Sequence, residues 1–185
     1  MSGPVRAGRR ARVALVAVVC ALVAVTPGSL HAQTQAVRVT SDELQATVAG
    51  APEGRVSDQQ IRMIDAGGMN LGVGVVHRPV TTTLSAIVHH REAEIYRVVE
   101  GHGVLVTSGE LAGATELDAD GAVVRTLTGP SAMGTIEGGT REPIGPGDVV
   151  FIPAGVAHGF SEITEAITYI VYRIDPDQLV ELKER

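Results

Sequence analysis

Cysteine is almost missing from this chain: Cys20 is the only one, and it lies in an apolar run near the start. The rest of the sequence therefore has neither a disulfide nor a thiolate zinc site open to it. Tryptophan is absent, and there are only two phenylalanines and three tyrosines. So thin an aromatic supply disfavours a stacking platform for sugar rings or a flavin, and points to a small ligand, apolar or carboxylated. No phosphate-cradling glycine loop, no G-x-S-x-G elbow and no dinucleotide fingerprint occurs. Repeats of solenoid period and low-complexity tracts are also lacking, and helical periodicity is scarce.

One end carries positive charge and no acidic residue. Residues 1–32 read as a secretory signal peptide: a basic "MSGPVRAGRRAR", an apolar "VALVAVVCALVAV" from Val13 to Val25, then "TPGSLHA" with small and turn residues. The apolar run falls short of the roughly 20 residues that span a bilayer. Cleavage after Ala32 is the expectation, with a periplasmic or secreted product. Arg9 and Arg10 do not make a twin-arginine signal, because "GRRARVA" has arginine where an apolar residue belongs, and Val19 disqualifies Cys20 as a lipoprotein cysteine. The leader holds four of the 15 basic residues and none of the 21 acidic ones, so the remainder carries 11 basic residues and a formal charge of −10. Such a protein repels nucleic acid and gains nothing from anionic lipid, which leaves a small molecule as the expected partner and no membrane attachment after cleavage.

About 150 residues suffice for one core without staples. Residues 33–68 read as an approach segment containing a short helix capped by Ser41. Residues 69–174 hold "LGVGVVH", "TTLSAIV", "EIYRVVE", "GVLVTS", "DVVFIPA" and "AITYIVYRI", short β-branched runs punctuated by Gly, Pro, Asp and Ser. This is the pattern of an all-β sandwich or barrel. Asp120-Gly121 suggests a two-residue hairpin turn, and "DADG" lacks the ligand spacing of a calcium loop. Residues 175–185, "DPDQLVELKER", read as a short proline-initiated helix.

Two stretches carry candidate chemistry. In "HHREAEIYRVVEG", His90 precedes Glu94 by four residues across a tight connection, and alternation puts Glu94, Tyr96 and Val98 on one strand face. In "GPGDVVFIPAGVAHGF", two turns flank a strand and deliver His158 just past the second. Taken alone, either is as readily a solvated loop or a structural histidine. Together they resemble the cupin superfamily. Its first motif, two histidines one residue apart, then glutamate and glycine, is matched by His90, Glu94 and Gly101; its second, by Gly147, Pro153, Gly155 and His158. The resemblance covers about Leu71 to Arg173.

It implies a single β-barrel of the jelly-roll, or double-stranded β-helix, type with short flanking helices. It also implies metal ligands at His90, Glu94 and His158. Val88 stands where the family's first histidine is expected, and His89 is the candidate to replace it, unless the strand runs through it and turns it to the opposite face. A second candidate is His77, on the face of Leu71, Val73 and Val75, with Gly72 and Gly74 on the other. Two or three imidazoles with a carboxylate suit a divalent transition metal, Fe(II) first, with Mn, Ni, Zn or Cu as alternatives. Tyr96 and Phe160 are candidate cavity walls, or ordinary core, and Tyr96 is the candidate catalytic side chain. Because cupins include enzymes and binders alike, three readings stand: a dioxygenase-like oxidoreductase, a metal or ligand binder without turnover, and a metal-free interaction module. A homodimer formed through outer strands is implied for the family.

Overall fold

The structure, a computed structural model, describes residues 3, 35–52 and 54–185. The leader expected over residues 1–32 lies, but for Gly3, outside them. Among the described residues one α-helix, α1 (Ser41–Ala49), is followed by nine strands: β1 (Ser57–Asp65), β2 (Asn70–Arg78), β3 (Ser85–His89), β4 (Ala93–Thr107), β5 (Glu110–Glu116), β6 (Ser131–Glu137), β7 (Thr140–Ile144), β8 (Val149–Ile152) and β9 (His158–Asp175). Among the described residues no helix is long and apolar enough to cross a membrane.

All the strand pairings are antiparallel, and the two longest strands organise them. Along one edge β9 pairs with β3 at its start and with β2 over its second half; along the other it pairs with β4. In turn, β4 pairs with β8 near its start and with β7 near its end. The result is two sheets, β1-β2-β9-β4-β8 and β5-β6-β3-β9-β4-β7, that share the halves of two bent strands. This is a jelly roll wrapped as two layers, with no closed hydrogen-bonded ring among the described strands.

The bend falls where the β4–β9 register shifts, between Val98 and Gly103. Gly101 sits there at φ 76°, and a Cβ at this position would lie 2.0 Å from the Ala166 carbonyl oxygen. A β-bulge at a bend needs a residue that tolerates both positive φ and close backbone approach, and glycine meets both demands. Between the sheets lies an apolar core that includes Val76, Tyr96, Val98, Leu105, Phe160, Ile163, Ile167, Tyr169 and Val171.

Several expectations require correction. The helix cap is Thr40 rather than Ser41: its hydroxyl accepts from the Glu43 N–H while the Glu43 carboxylate accepts from the Thr40 N–H. The stretch 33–68 is not merely an approach, since it supplies β1, which pairs with β2. Asp120-Gly121 does not turn a tight hairpin. It starts a helical turn that leads into the wide turn Val124–Thr128, and the hairpin strands are β5 and β6 on either side. Residues 175–185 contain no helix. Tertiary partners claim their backbone instead: Asp175 accepts from the Val180 N–H, Asn70 donates to the Val180 carbonyl, and Lys183 exchanges hydrogen bonds with Met63.

Candidate metal centre

Three residues from three strands converge between the sheets. His89 ends β3, Glu94 is the second residue of β4, and His158 opens β9. Donor atoms of the three lie within 4.8 Å of one another. Strand pairing sets this convergence. Ile87 of β3 lies opposite His158, while Glu94 lies between Ile152 of β8 and Arg173 of β9. The tight connections on either side fix where each strand begins, and hence which side chain points inward. All three side chains are almost wholly buried, with 5%, 2% and 2% exposure.

Hydrogen bonds orient both rings. The Val156 carbonyl can only accept, so Nδ1 of His158, 3.0 Å away, carries the hydrogen. The Ser131 hydroxyl, 2.9 Å from Nδ1 of His89, is within 3.0 Å of the Thr128 and Gly129 carbonyls, to one of which it gives its single proton. It is therefore left to accept from His89. In the neutral rings both Nε2 atoms then present lone pairs, and both face the same carboxylate oxygen, Oε2 of Glu94, at 3.4 and 3.3 Å. Nε2 of His158 is buried and makes no hydrogen bond. Two lone pairs and a carboxylate oxygen aimed at one point repel one another unless a cation, a metal ion or a proton, lies between them. These residues fit a divalent transition metal, with two imidazoles and one carboxylate.

The surroundings hold Glu94 in place and in its charged form. Tyr96 donates its hydroxyl proton to Oε2 at 2.9 Å, and Nε of Arg173 donates to Oε1 at 3.1 Å. Burial works to raise the Glu94 carboxyl; in the metal-free protein a proton on the facing nitrogens, donated by His158 and His89, and the charge of Arg173 outweigh it and hold it well below the usual range. Burial and the neighbouring Glu94 charge keep the Tyr96 phenol protonated far above its ordinary value. Arg173 is itself fully buried and donates also to Gln60 and Asp58, both at 2.6 Å. Glu92 completes this layer, 3.5 Å from Nε of Arg173, with neither carboxyl oxygen hydrogen-bonded. Burial, opposed by Arg173 and reinforced by Glu94, pushes the Glu92 carboxyl up to about 9.

The sequence-predicted residues divide. Glu94, His158 and His89 come together, with Tyr96 beside them. His90 does not join: β3 runs through His89, so alternation turns the next side chain outward, where Nε2 meets Glu116 at 2.9 Å with the imidazole 39% exposed. The motif is therefore offset by one, and the partner position two residues before the inward histidine is Ile87 rather than Val88. His77 also points elsewhere, its Nδ1 2.9 Å from the Thr168 hydroxyl. The inward face of β2 is the glycine face, Gly72, Gly74, Val76 and Arg78. A Cβ on Gly74 would come within 3.3 Å of the Arg173 guanidinium, so the missing side chains there make room for the buried arginine. Phe160 belongs to the core, stacked on Tyr169 with centroids 6.0 Å apart.

Sequence reasoning missed Arg173, Glu92 and Ser131. Arg173 had a signal: in "AITYIVYRID" it shares the face of Tyr169 and Val171, an inward charge that calls for inward acids. Ser131 had none, because its role depends on pairing with His89 across β3 and β6.

A two-layer antiparallel jelly roll with a buried His-Glu-His group between its layers is the architecture that the sequence resemblance implied. No protein-family model and no curated protein sequence matches the chain. Solved structures are similar to it. The DMSP lyase DddQ from Ruegeria pomeroyi DSS-3 shares 19% identity over 78% of this chain and 57% of the lyase, with a TM-score of 0.44. A recombinant oxalate oxidase in complex with glycolate shares 15% over 69% of this chain and 54% of the oxidase, at 0.42. The EutQ protein of Clostridium difficile shares 17% over 76% of this chain and 82% of its own, at 0.40. The chain thus spans little more than half of the lyase and of the oxidase.

Proposed function

We propose that His89, Glu94 and His158 hold one divalent transition metal, and that the protein is an exported metal-dependent cupin acting on a small molecule. The observation that carries this is the pair of Nε2 atoms aimed at a single Glu94 oxygen, one of them buried without a hydrogen-bond partner. Fe(II) is the metal we favour, since two imidazoles and one carboxylate leave coordination positions free. Such a metal supplies Lewis acidity and, as Fe(II), redox capacity for a dioxygenase-like oxidation. The chain's own residues do the rest. Arg173 and Tyr96 fix the Glu94 carboxylate, Ser131 and the Val156 carbonyl fix the imidazoles, and the flanking aromatic rings keep water out. Tyr96, with its phenol proton on Glu94, is the side chain we place closest to the chemistry.

A second reading, a metal binder without turnover, is favoured by the near-complete burial of all three ligand groups. Oligomerisation is part of the proposal: Phe151, 72% exposed, lies opposite Ile95 of β4, which in turn lies opposite Tyr172 of β9, and with Val149 they form an outer surface suited to a second copy. The test is to measure bound metal in the purified protein and in Glu94→Gln and His158→Ala variants. Oxygen uptake after Fe(II) loading, across catechols, diketones and thiol acids, then separates enzyme from binder. Wild-type protein that binds no metal on reconstitution defeats both readings.

A further inference from the structure

Arg78 ends the inward face of β2, beyond Val76, at the open end of the roll. Its Nε donates to the Tyr169 hydroxyl at 3.0 Å, and its guanidinium carbon lies 5.5 Å from the centre of the Phe160 ring. Hydrogen bond and ring together hold the plane of the head group. Among the described residues, Nη1 and Nη2 have no hydrogen-bond partner, and Arg78 forms no ion pair within 4.0 Å. Arg173, the other arginine on an inward face, is by contrast met by Glu94, Gln60 and Asp58. The Asp58 carboxylate that Arg173 holds also acts on the Arg78 charge, but from beyond contact distance, so both Nη groups of this half-buried guanidinium are left without a directly paired anion.

The space in front of Arg78 is a cavity of about 340 Å³. Its wall includes the hydroxyl residues Thr81, Thr83 and Ser85, the apolar Phe160 and Ile163, and the exposed Arg55. One aromatic layer separates it from the candidate metal centre. Phe160 stands two residues beyond His158 on β9, and Tyr169, which holds Arg78, packs at 4.3 Å on Tyr96, which holds Glu94.

We propose that this cavity is the carboxylate subsite of the protein, taking a small monocarboxylic acid whose carboxylate pairs with the two free N–H edges of Arg78. Planar guanidinium and planar carboxylate match edge to edge, and the apolar wall accepts the carbon skeleton. The volume is at the low end for small-molecule sites, which sets the ligand's size. That the acid is the substrate of the neighbouring centre rests on the metal reading above; that the acid binds does not.

The test titrates propionate and benzoate, their neutral amides, and inorganic phosphate into protein expressed from the full chain, by calorimetry, both chelator-treated and Zn(II)-loaded. Both acids are expected to saturate at one site, with the amides weaker by about tenfold or more. Arg78→Met is expected to erase that preference while metal content, read by mass spectrometry, stays at the wild-type level. Arg78→Lys, which keeps the charge and loses the fork, carries the test if the methionine variant does not fold, and is expected to weaken the acids several-fold. Equal binding of acids and amides, wild-type affinity in both variants, saturation by phosphate alone, or no saturable binding overturns the inference. Acid binding to a protein that takes up no metal supports the subsite and defeats only the metal reading; metal uptake without acid binding does the reverse.

Discussion

Nε2 of His158 lies 3.3 Å from Oε2 of Glu94 and makes no hydrogen bond with it. Since Nδ1 of the same ring is tied to the Val156 carbonyl, the pair is arranged to share a cation.

Metal retention should follow that geometry. His89→Ala and His158→Ala are each expected to lose most of the bound metal, measured by mass spectrometry on purified protein, whereas His90→Ala keeps it. The metal should also raise the melting temperature, because a ligand that binds only the folded state adds RT ln(1 + [L]/Kd) to stability. A His90→Ala protein emptied of metal, beside a full His89→Ala protein, would reverse the assignment.

Tyr96→Phe removes one donor to a buried carboxylate and little volume. The expected cost is about 1.5–3 kcal/mol in urea denaturation of the metal-free protein, the range for a hydrogen bond to a charged group. Metal is retained, since the phenol stands beside the site rather than in it. Loss of metal equal to that of His158→Ala would make Tyr96 a ligand.

Two neighbouring carboxyls should give the metal-free protein opposing pH responses. Glu94 has a folded value well below its ordinary 4.5, so its contribution is present above pH 4.5 and is lost as pH falls through the folded value. Glu92 is raised from 4.5 to about 9, so the folded state keeps a proton that the unfolded state releases between those values. Its effect is full stability at and below pH 4.5, declining as pH rises toward 9. Glu92→Gln should flatten that decline in melts from pH 5 to 9 in the presence of a chelator. An unchanged slope would show that Glu92 is already ionised in the fold.

Gly101→Ala tests the bend of the roll. At φ 76°, with a Cβ 2.0 Å from the Ala166 oxygen, alanine must displace the β4–β9 pairing. The expected loss is about 3 kcal/mol or more by urea denaturation. Gly155, also at positive φ but with nothing within 4 Å, is the milder control.

Much of this protein was legible in its residues alone. Period-two runs between turn-formers gave the all-β class, because burying one face of a strand requires alternation. Gly101, Glu94 and His158 could be singled out through the resemblance to the two cupin motifs, whose order and spacing they match. What the sequence could not decide was parity. His89 and His90 are adjacent, and only the register of β3 against β6 and β9 determines which of them faces inward. The same holds for β2, where apolar content favours the valine face and the room needed by Arg173 places the glycines inside. It holds for the C-terminal stretch too, whose helical look yields to hydrogen bonds with Asn70 and Met63. Local preference amounts to tenths of a kcal/mol per residue, and burying a charge or a polar backbone unpaired costs several, so long-range partners decide wherever the two disagree.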